Sequence, residues 1–192
     1  MKLEFQAKFL QHLNKKKQQE EGFTLIELLV VIIIIGILAA IALPSLLSQV
    51  NKGKQAEAKQ NVGALNRAQQ AYFLENDGFA TDVPSAGIGI KTQTVNYIYT
   101  INTTGAPTGT NGLPQSANNI GSSLGNTLKS YVGQNYTSIG DTQTSEVLTL
   151  GLVCETVDIG PAGATKVTNE PQPDPATATA CGTGYKDLGR PK

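Results

Sequence analysis

Gly22-Phe23-Thr24-Leu25-Ile26-Glu27-Leu28-Leu29-Val30-Val31-Ile32-Ile33-Ile34-Ile35-Gly36-Ile37-Leu38-Ala39-Ala40-Ile41-Ala42-Leu43-Pro44 is the stretch that decides how the chain is read. From Phe23 to Leu43 every side chain is apolar or glycine except Thr24 and Glu27. At the rise of an α-helix the run reaches about 30 Å, enough to cross a hydrocarbon core. Thr24 can return its hydroxyl hydrogen bond to the helix backbone. An ionised carboxylate within a span costs about 3 kcal/mol, so Glu27 needs a partner or a function. Two readings stand side by side. Glu27 lies within a turn of where the run begins, where the interface and the positive end of its own helix dipole favour a carboxylate. Alternatively, a cut between Gly22 and Phe23 creates an ammonium group at Phe23, and Glu27 is placed to pair with it.

On the N-terminal side, residues 1–22 carry Lys2, Lys8, Lys15, Lys16 and Lys17 against Glu4, Glu20 and Glu21. Lysines clustered just before a span are held in the cytoplasm, which puts Pro44 and everything after it outside. His12, the only histidine, lies in this leader and reads as a solvated residue, so none remains beyond it for catalysis or metal binding. A conventional secretory signal ending at Ala40-Ile41-Ala42 has the same order of features. Its apolar run would be too long, however, and Gly22, Phe23 and Glu27 would serve no purpose. N-terminal sequencing separates the two cuts, since the product begins at Phe23 in one case and at Leu43 in the other.

Gly22-Phe23-Thr24-Leu25-Ile26-Glu27-Leu28 and the aliphatic run behind it resemble the class III signal of bacterial type IV pilins and related pseudopilins. The likeness is specific over residues 15–75 and weak afterwards. It implies that a prepilin peptidase cuts after Gly22, that the new amine of Phe23 is N-methylated, and that Glu27 is the assembly carboxylate. It also matches Gly36 and Pro44 to the family's helix-loosening glycine and proline. The leader is longer than those usual for pilins that begin with phenylalanine.

Beyond Pro44 the helical pattern continues. Ala56, Ala58, Ala64, Ala68 and Ala71 supply propensity, and Ala58, Val62, Leu65 and Tyr72 form one apolar stripe. Gln55, Glu57, Lys59, Gln60, Arg67 and Gln70 fall mostly elsewhere, so this half is amphipathic and suited to pack on a head. Pro44 lacks an amide hydrogen and presses on the Ala40 carbonyl, and Gly36 adds backbone freedom, so the helix is expected to bend or loosen there. Asn76-Asp77-Gly78 supplies a stop, with Gly78 the residue expected in the left-handed region. The organisation expected is a leader over 1–22, a helix of roughly 80 Å over 23–76 divided at residue 44, and a head over 77–192.

The head changes to Gly, Thr, Asn, Ser and Pro. Residues 79–91 read as a loop and Thr94–Ile101 as a strand, while residues 102–127 are too polar and turn-rich for regular structure. A short strand is expected around Tyr131 and Val132, within residues 128–139, and the strongest strand is Glu146–Cys154. Together these give an α+β class, a small antiparallel sheet lying on the outer half of the helix, as the pilin resemblance also implies. Cys154 and Cys181 both face an oxidising space, and a bridge between them would close the segment holding Pro161, Pro171, Pro173 and Pro175. Free thiols are the alternative. A loop stapled to the last strand resembles the variable disulfide loop of type IV pilins.

Chemistry elsewhere is sparse. Asp77, Asp82, Asp141, Glu146, Glu155 and Asp158 show no acid/base or calcium-loop spacing and read as solvated surface. Gly87-Ile88-Gly89 follows no strand-to-helix turn and does not read as a phosphate cradle. Asn102-Thr103-Thr104 and Asn135-Tyr136-Thr137 match a glycosylation pattern that often arises by chance. Fifteen basic and fifteen acidic groups cancel, and no basic footprint for nucleic acid exists. No enzyme activity, metal or cofactor is expected.

The resemblance implies a structural subunit of type IV pili, held in the inner membrane as a single-pass pool and displayed on the surface as a fimbrium. Its implied partners are further copies of itself, the prepilin peptidase and N-methyltransferase, the assembly platform and motor, and membrane lipid. The fibre would act in motility, adhesion or DNA uptake. A type II secretion pseudopilin and a solitary membrane-anchored periplasmic domain are the alternatives.

Overall fold

The computed structural model describes residues 22–103, 115–141, 146–160 and 184–188, together with Lys8, Gly112 and Cys181. The rest of the lysine-rich leader, with His12, and the proline-rich segment from Pro161 to Pro175 lie outside the described residues. The chain forms two compact units, Met1–Ser48 and Gln49–Lys192. The helix α1 (Leu25–Asn76) begins in the first and ends in the second, and it stays α-helical through Gly36 and Pro44.

α1 stops because the chain turns into the left-handed region at Asp77, with φ 54°. The Asp77 N–H donates to the Phe73 carbonyl at 2.8 Å, and the Asn76 side-chain amide donates to the Tyr72 carbonyl at 3.0 Å. The left-handed residue is therefore Asp77 and not the expected Gly78. Aspartate is one of the few residues besides glycine that tolerates this region.

Among the described residues five strands follow, β1 (Tyr97–Asn102), β2 (Ser116–Ser123), β3 (Lys129–Asp141), β4 (Glu146–Ile159) and β5 (Tyr185–Asp187). They lie in chain order in one sheet, and every neighbouring pair is antiparallel. β1 starts three residues later than the sequence suggests, because Thr94 closes a turn. Its N–H donates to the Tyr97 carbonyl at 2.8 Å, and its hydroxyl accepts from the Tyr97 N–H at 3.1 Å. β3 and β4 both run longer than expected. Within residues 102–127, expected to be irregular, lies β2.

The composition of β2 misled because its face toward α1 is built from small and amide side chains. A Cβ on Gly121 would sit 3.0 Å from the Val62 methyl, and one on Gly133 of β3 would overlap the Asn66 carboxamide. Helix and sheet thus approach too closely for branched residues. An amide network fills the seam between them. Asn66 Oδ1 accepts from Asn119 at 2.8 Å and from Asn135 at 3.1 Å, while Asn66 Nδ2 donates to the Leu152 carbonyl at 3.0 Å. Gln69 exchanges two bonds with the Ala80 backbone, at 2.8 and 3.0 Å. The pairing spares most of these amide atoms the desolvation penalty and fixes one register, with Asn135 Oδ1 left buried without a hydrogen-bond partner.

Around the seam lie the apolar clusters. Ala58, Val62 and Leu65 of the stripe are fully buried against Tyr97, Tyr99 and Tyr131, with Tyr72 partly buried at the margin. Phe73 packs on Phe79, ring centroids 5.0 Å apart, beside Ala117. On the sheet's other face Ile120 and Val132 are covered by Tyr185 of β5. The disulfide Cys154–Cys181, across 27 positions, ties the chain ahead of β5 to Cys154, the β4 residue in register with Asp187 at the end of β5. Cys181→Ser should destabilise the head by about 3–4 kcal/mol on the loop-closure estimate. The check is thermal unfolding of oxidised wild type and variant, and unchanged midpoints would refute it.

Candidate processing and assembly site

Gly22 and Phe23 precede the helix as exposed, non-helical residues, and Thr24 is its N-cap. Glu27 Oε2 accepts from the Thr24 N–H and from the Thr24 hydroxyl, both at 2.8 Å. The Glu27 N–H donates back to Thr24 Oγ1 at 3.3 Å. These reciprocal bonds make a capping box, which satisfies helix-terminal donors that would otherwise have no partner. The signal lies in Thr24-Leu25-Ile26-Glu27, a Thr-x-x-Glu pattern ahead of an apolar run, a feature separate from the membrane and cleavage roles expected of Glu27. In this chain, with the Gly22–Phe23 peptide intact, Glu27 therefore folds back on its own helix.

Among the described residues of their unit, the large side chains behind the cap stand exposed. From Phe23 to Leu47 every large apolar side chain is at least 45% exposed. Among the described residues α1 is long and apolar enough to cross a membrane, by length and composition. Gly36 meets nothing within 4 Å where a Cβ would stand. A surface of this size and continuity on a folded chain marks contact with lipid or with other protein.

Two readings of the head need correction. Glu155 is not a solvated carboxylate. Its side chain is only 10% exposed, and it accepts from Lys129 at 2.8 Å and pairs with Lys59 of α1 at 3.1 Å. The Tyr131 hydroxyl donates to it at 3.4 Å. Burial opposes its ionisation, but the bonds and charges of Lys129 and Lys59 outweigh that and hold the carboxyl below the ordinary carboxylate range. Its partners lie 26 and 96 positions away in the chain, so no local pattern announced it. The sequon at Asn135 is closed to modification, since Asn135 is 1% exposed and committed to Asn66. Asn102, of the other sequon, ends β1 half-buried. Asp82 caps a turn through the Ser85 N–H at 2.8 Å. Among the described residues no group of three His, Cys, Asp or Glu side chains is placed to hold a metal ion.

A family profile described as Type IV pilin-like G and H matches residues 55–182, most of the amphipathic half of α1 and the head. The chain belongs to this type IV pilin-like family. A second profile, the prokaryotic N-terminal methylation motif, matches residues 17–43 of the pilin-like chain and so spans Gly22, Phe23, Glu27 and Gly36. The type IV major pilin protein PilA of Myxococcus xanthus is 50% identical over 62 residues, 32% of this chain and 28% of that protein. The fimbrial protein EcpC of Eikenella corrodens is 41% identical over 97 residues, 50% of this chain and 61% of its own length. The type II secretion system core protein G of Aeromonas hydrophila is 39% identical over 66 residues, 34% of this chain and 46% of its own. This pilin-like chain thus spans between about a quarter and three fifths of these relatives. No solved structure matches it. The α+β architecture, the apolar first helix and the disulfide agree with a pilin-like structural subunit.

Proposed function

We propose that the chain is a prepilin, cut after Gly22, N-methylated at Phe23 and polymerised through the apolar half of α1 into a type IV pilus. The observation that carries this reading is the unpartnered apolar surface from Phe23 to Leu47, led by a single capped carboxylate. Before assembly that surface is dissolved in the inner membrane, with the leader inside and the head outside. In the fibre it is buried against equivalent helices. Cutting turns Phe23 into a cation one turn from Glu27, and the carboxylate then leaves Thr24 to pair with an ammonium group. Gly36 and Pro44 let the helix adjust as subunits pack. The peptidase with its methyltransferase activity, the assembly platform and its motor are the partners this route requires, and motility, adhesion or DNA uptake are the roles such a fibre serves.

Two substitutions separate charge from capping. Glu27→Gln keeps a side-chain oxygen for Thr24 and loses the charge, whereas Glu27→Val loses both. Both variants should insert in the membrane normally and both should sharply reduce the yield of sheared fibre. Wild-type yield from Glu27→Gln would assign the residue to the cap and end the charge-pair mechanism.

A type II secretion pseudopilin is the second reading. It is favoured by the match of the head to the G and H profile and by the core protein G relatives. Electron microscopy of cells with and without the protein decides between them. Long surface fibres that vanish with the gene support the pilus, and their absence from both supports the pseudopilin.

A further inference from the structure

We propose that Glu155, Lys59 and Lys129 form an acid-sensitive clasp that fastens the part of α1 entering the head to the β3–β4 end of the sheet. One carboxylate serves two cations from different elements, Lys59 of α1 at 3.1 Å and Lys129 of β3 at 2.8 Å. The Lys59 ammonium also lies over the Tyr131 ring, 5.4 Å from its centroid. The Tyr97 hydroxyl closes the far side by donating to the Lys129 carbonyl at 3.0 Å. These ion pairs sit at the rim of the apolar cluster that begins with Ala58 and Val62.

The groups facing the carboxylate set the sign of the response. They are Lys59 from α1, Tyr97 from β1, Lys129 and Tyr131 from β3, and Lys186, its register partner in β5, while Glu57 of α1 lies nearer Tyr97 and Tyr99. Burial raises both phenols, so they remain neutral, and Glu155 is the acid that both lysines contact directly. A carboxyl held below its ordinary range contributes stability that is complete above the unfolded-chain value and is lost as pH falls through the folded one. Protonation leaves Lys59 and Lys129 uncompensated on either side of a neutral acid. Their repulsion then acts across the seam between α1 and the sheet, whereas it is absent at neutral pH.

Hydrogen exchange of the full-length protein in detergent micelles, corrected for intrinsic rates, tests the clasp at pH 7 and pH 3.5. In the wild type the amides of residues 58–66 should lose protection by at least about tenfold in acid, relative to those of β2. In Glu155→Gln they should be less protected already at pH 7 and respond little to acid. Lys59→Met leaves the Glu155–Lys129 pair within the sheet, so its α1 amides should also lose the pH response, which keeps the test open if Glu155→Gln does not fold. An unchanged wild-type pattern, or the same acid response in Lys59→Met, overturns the proposal.

Discussion

Gly22→Ala should leave the chain uncut, so that membranes accumulate the form that retains residues 1–22 and sheared surface material disappears. The added methyl harms nothing within the molecule, because nothing lies within 4 Å of the position a Cβ would take at Gly22. Helix capping begins two residues later, at Thr24, and is untouched. Any loss of maturation therefore reports recognition of the residue before the cut rather than damage to the fold. Intact mass and N-terminal sequence of the membrane and surface fractions give the answer. Mature protein beginning at Phe23 in the variant would refute the cleavage assignment, and a start at Leu43 would move the cut to the other end of the apolar run.

Gly133→Ala should be the most damaging single methyl in the head. Its Cβ would occupy the place of the Asn66 carboxamide, which is itself held by Asn119, Asn135 and the Leu152 carbonyl. If Asn66 swings away, Asn119, Asn135 and the Leu152 carbonyl lose their shared partner inside the seam. Overpacking and unpaired buried groups together give a destabilisation of about 3–5 kcal/mol. Domains of this size hold only about 5–15 kcal/mol in total, so the midpoint of thermal unfolding should fall by roughly 10 °C or more. A midpoint within a degree or two of wild type would mean that α1 does not seat on the sheet as described.

How far the sequence could be read depends on where each signal was stored. The apolar run, the stripe of Ala58, Val62 and Leu65, and the strand-forming run Glu146–Cys154 are local patterns, and the helix, its buried face and one strand of the sheet follow from them. Ser116–Ser123 was illegible because Asn119 and Gly121 answer to Asn66 and Val62, which lie some fifty residues or more away, and not to their neighbours in the chain. Glu155 was read as surface for the same reason. Thr24 and Glu27 are a different case. Their Thr-x-x-Glu spacing is itself a local pattern, and it specifies the capping box that holds Glu27 while the Gly22–Phe23 peptide is intact.

Seating a rod on glycines and interlocked amides, rather than on a smooth aliphatic bed, has a mechanical meaning. If the chain polymerises as proposed, tension on the filament pulls its rods along their length and loads each head in shear parallel to α1. Slippage by a single residue would drive Asn66 off Gly133 and tear three directional bonds at once, so the seam works like a toothed rack. The head would resist sliding steeply up to that first step and then yield abruptly.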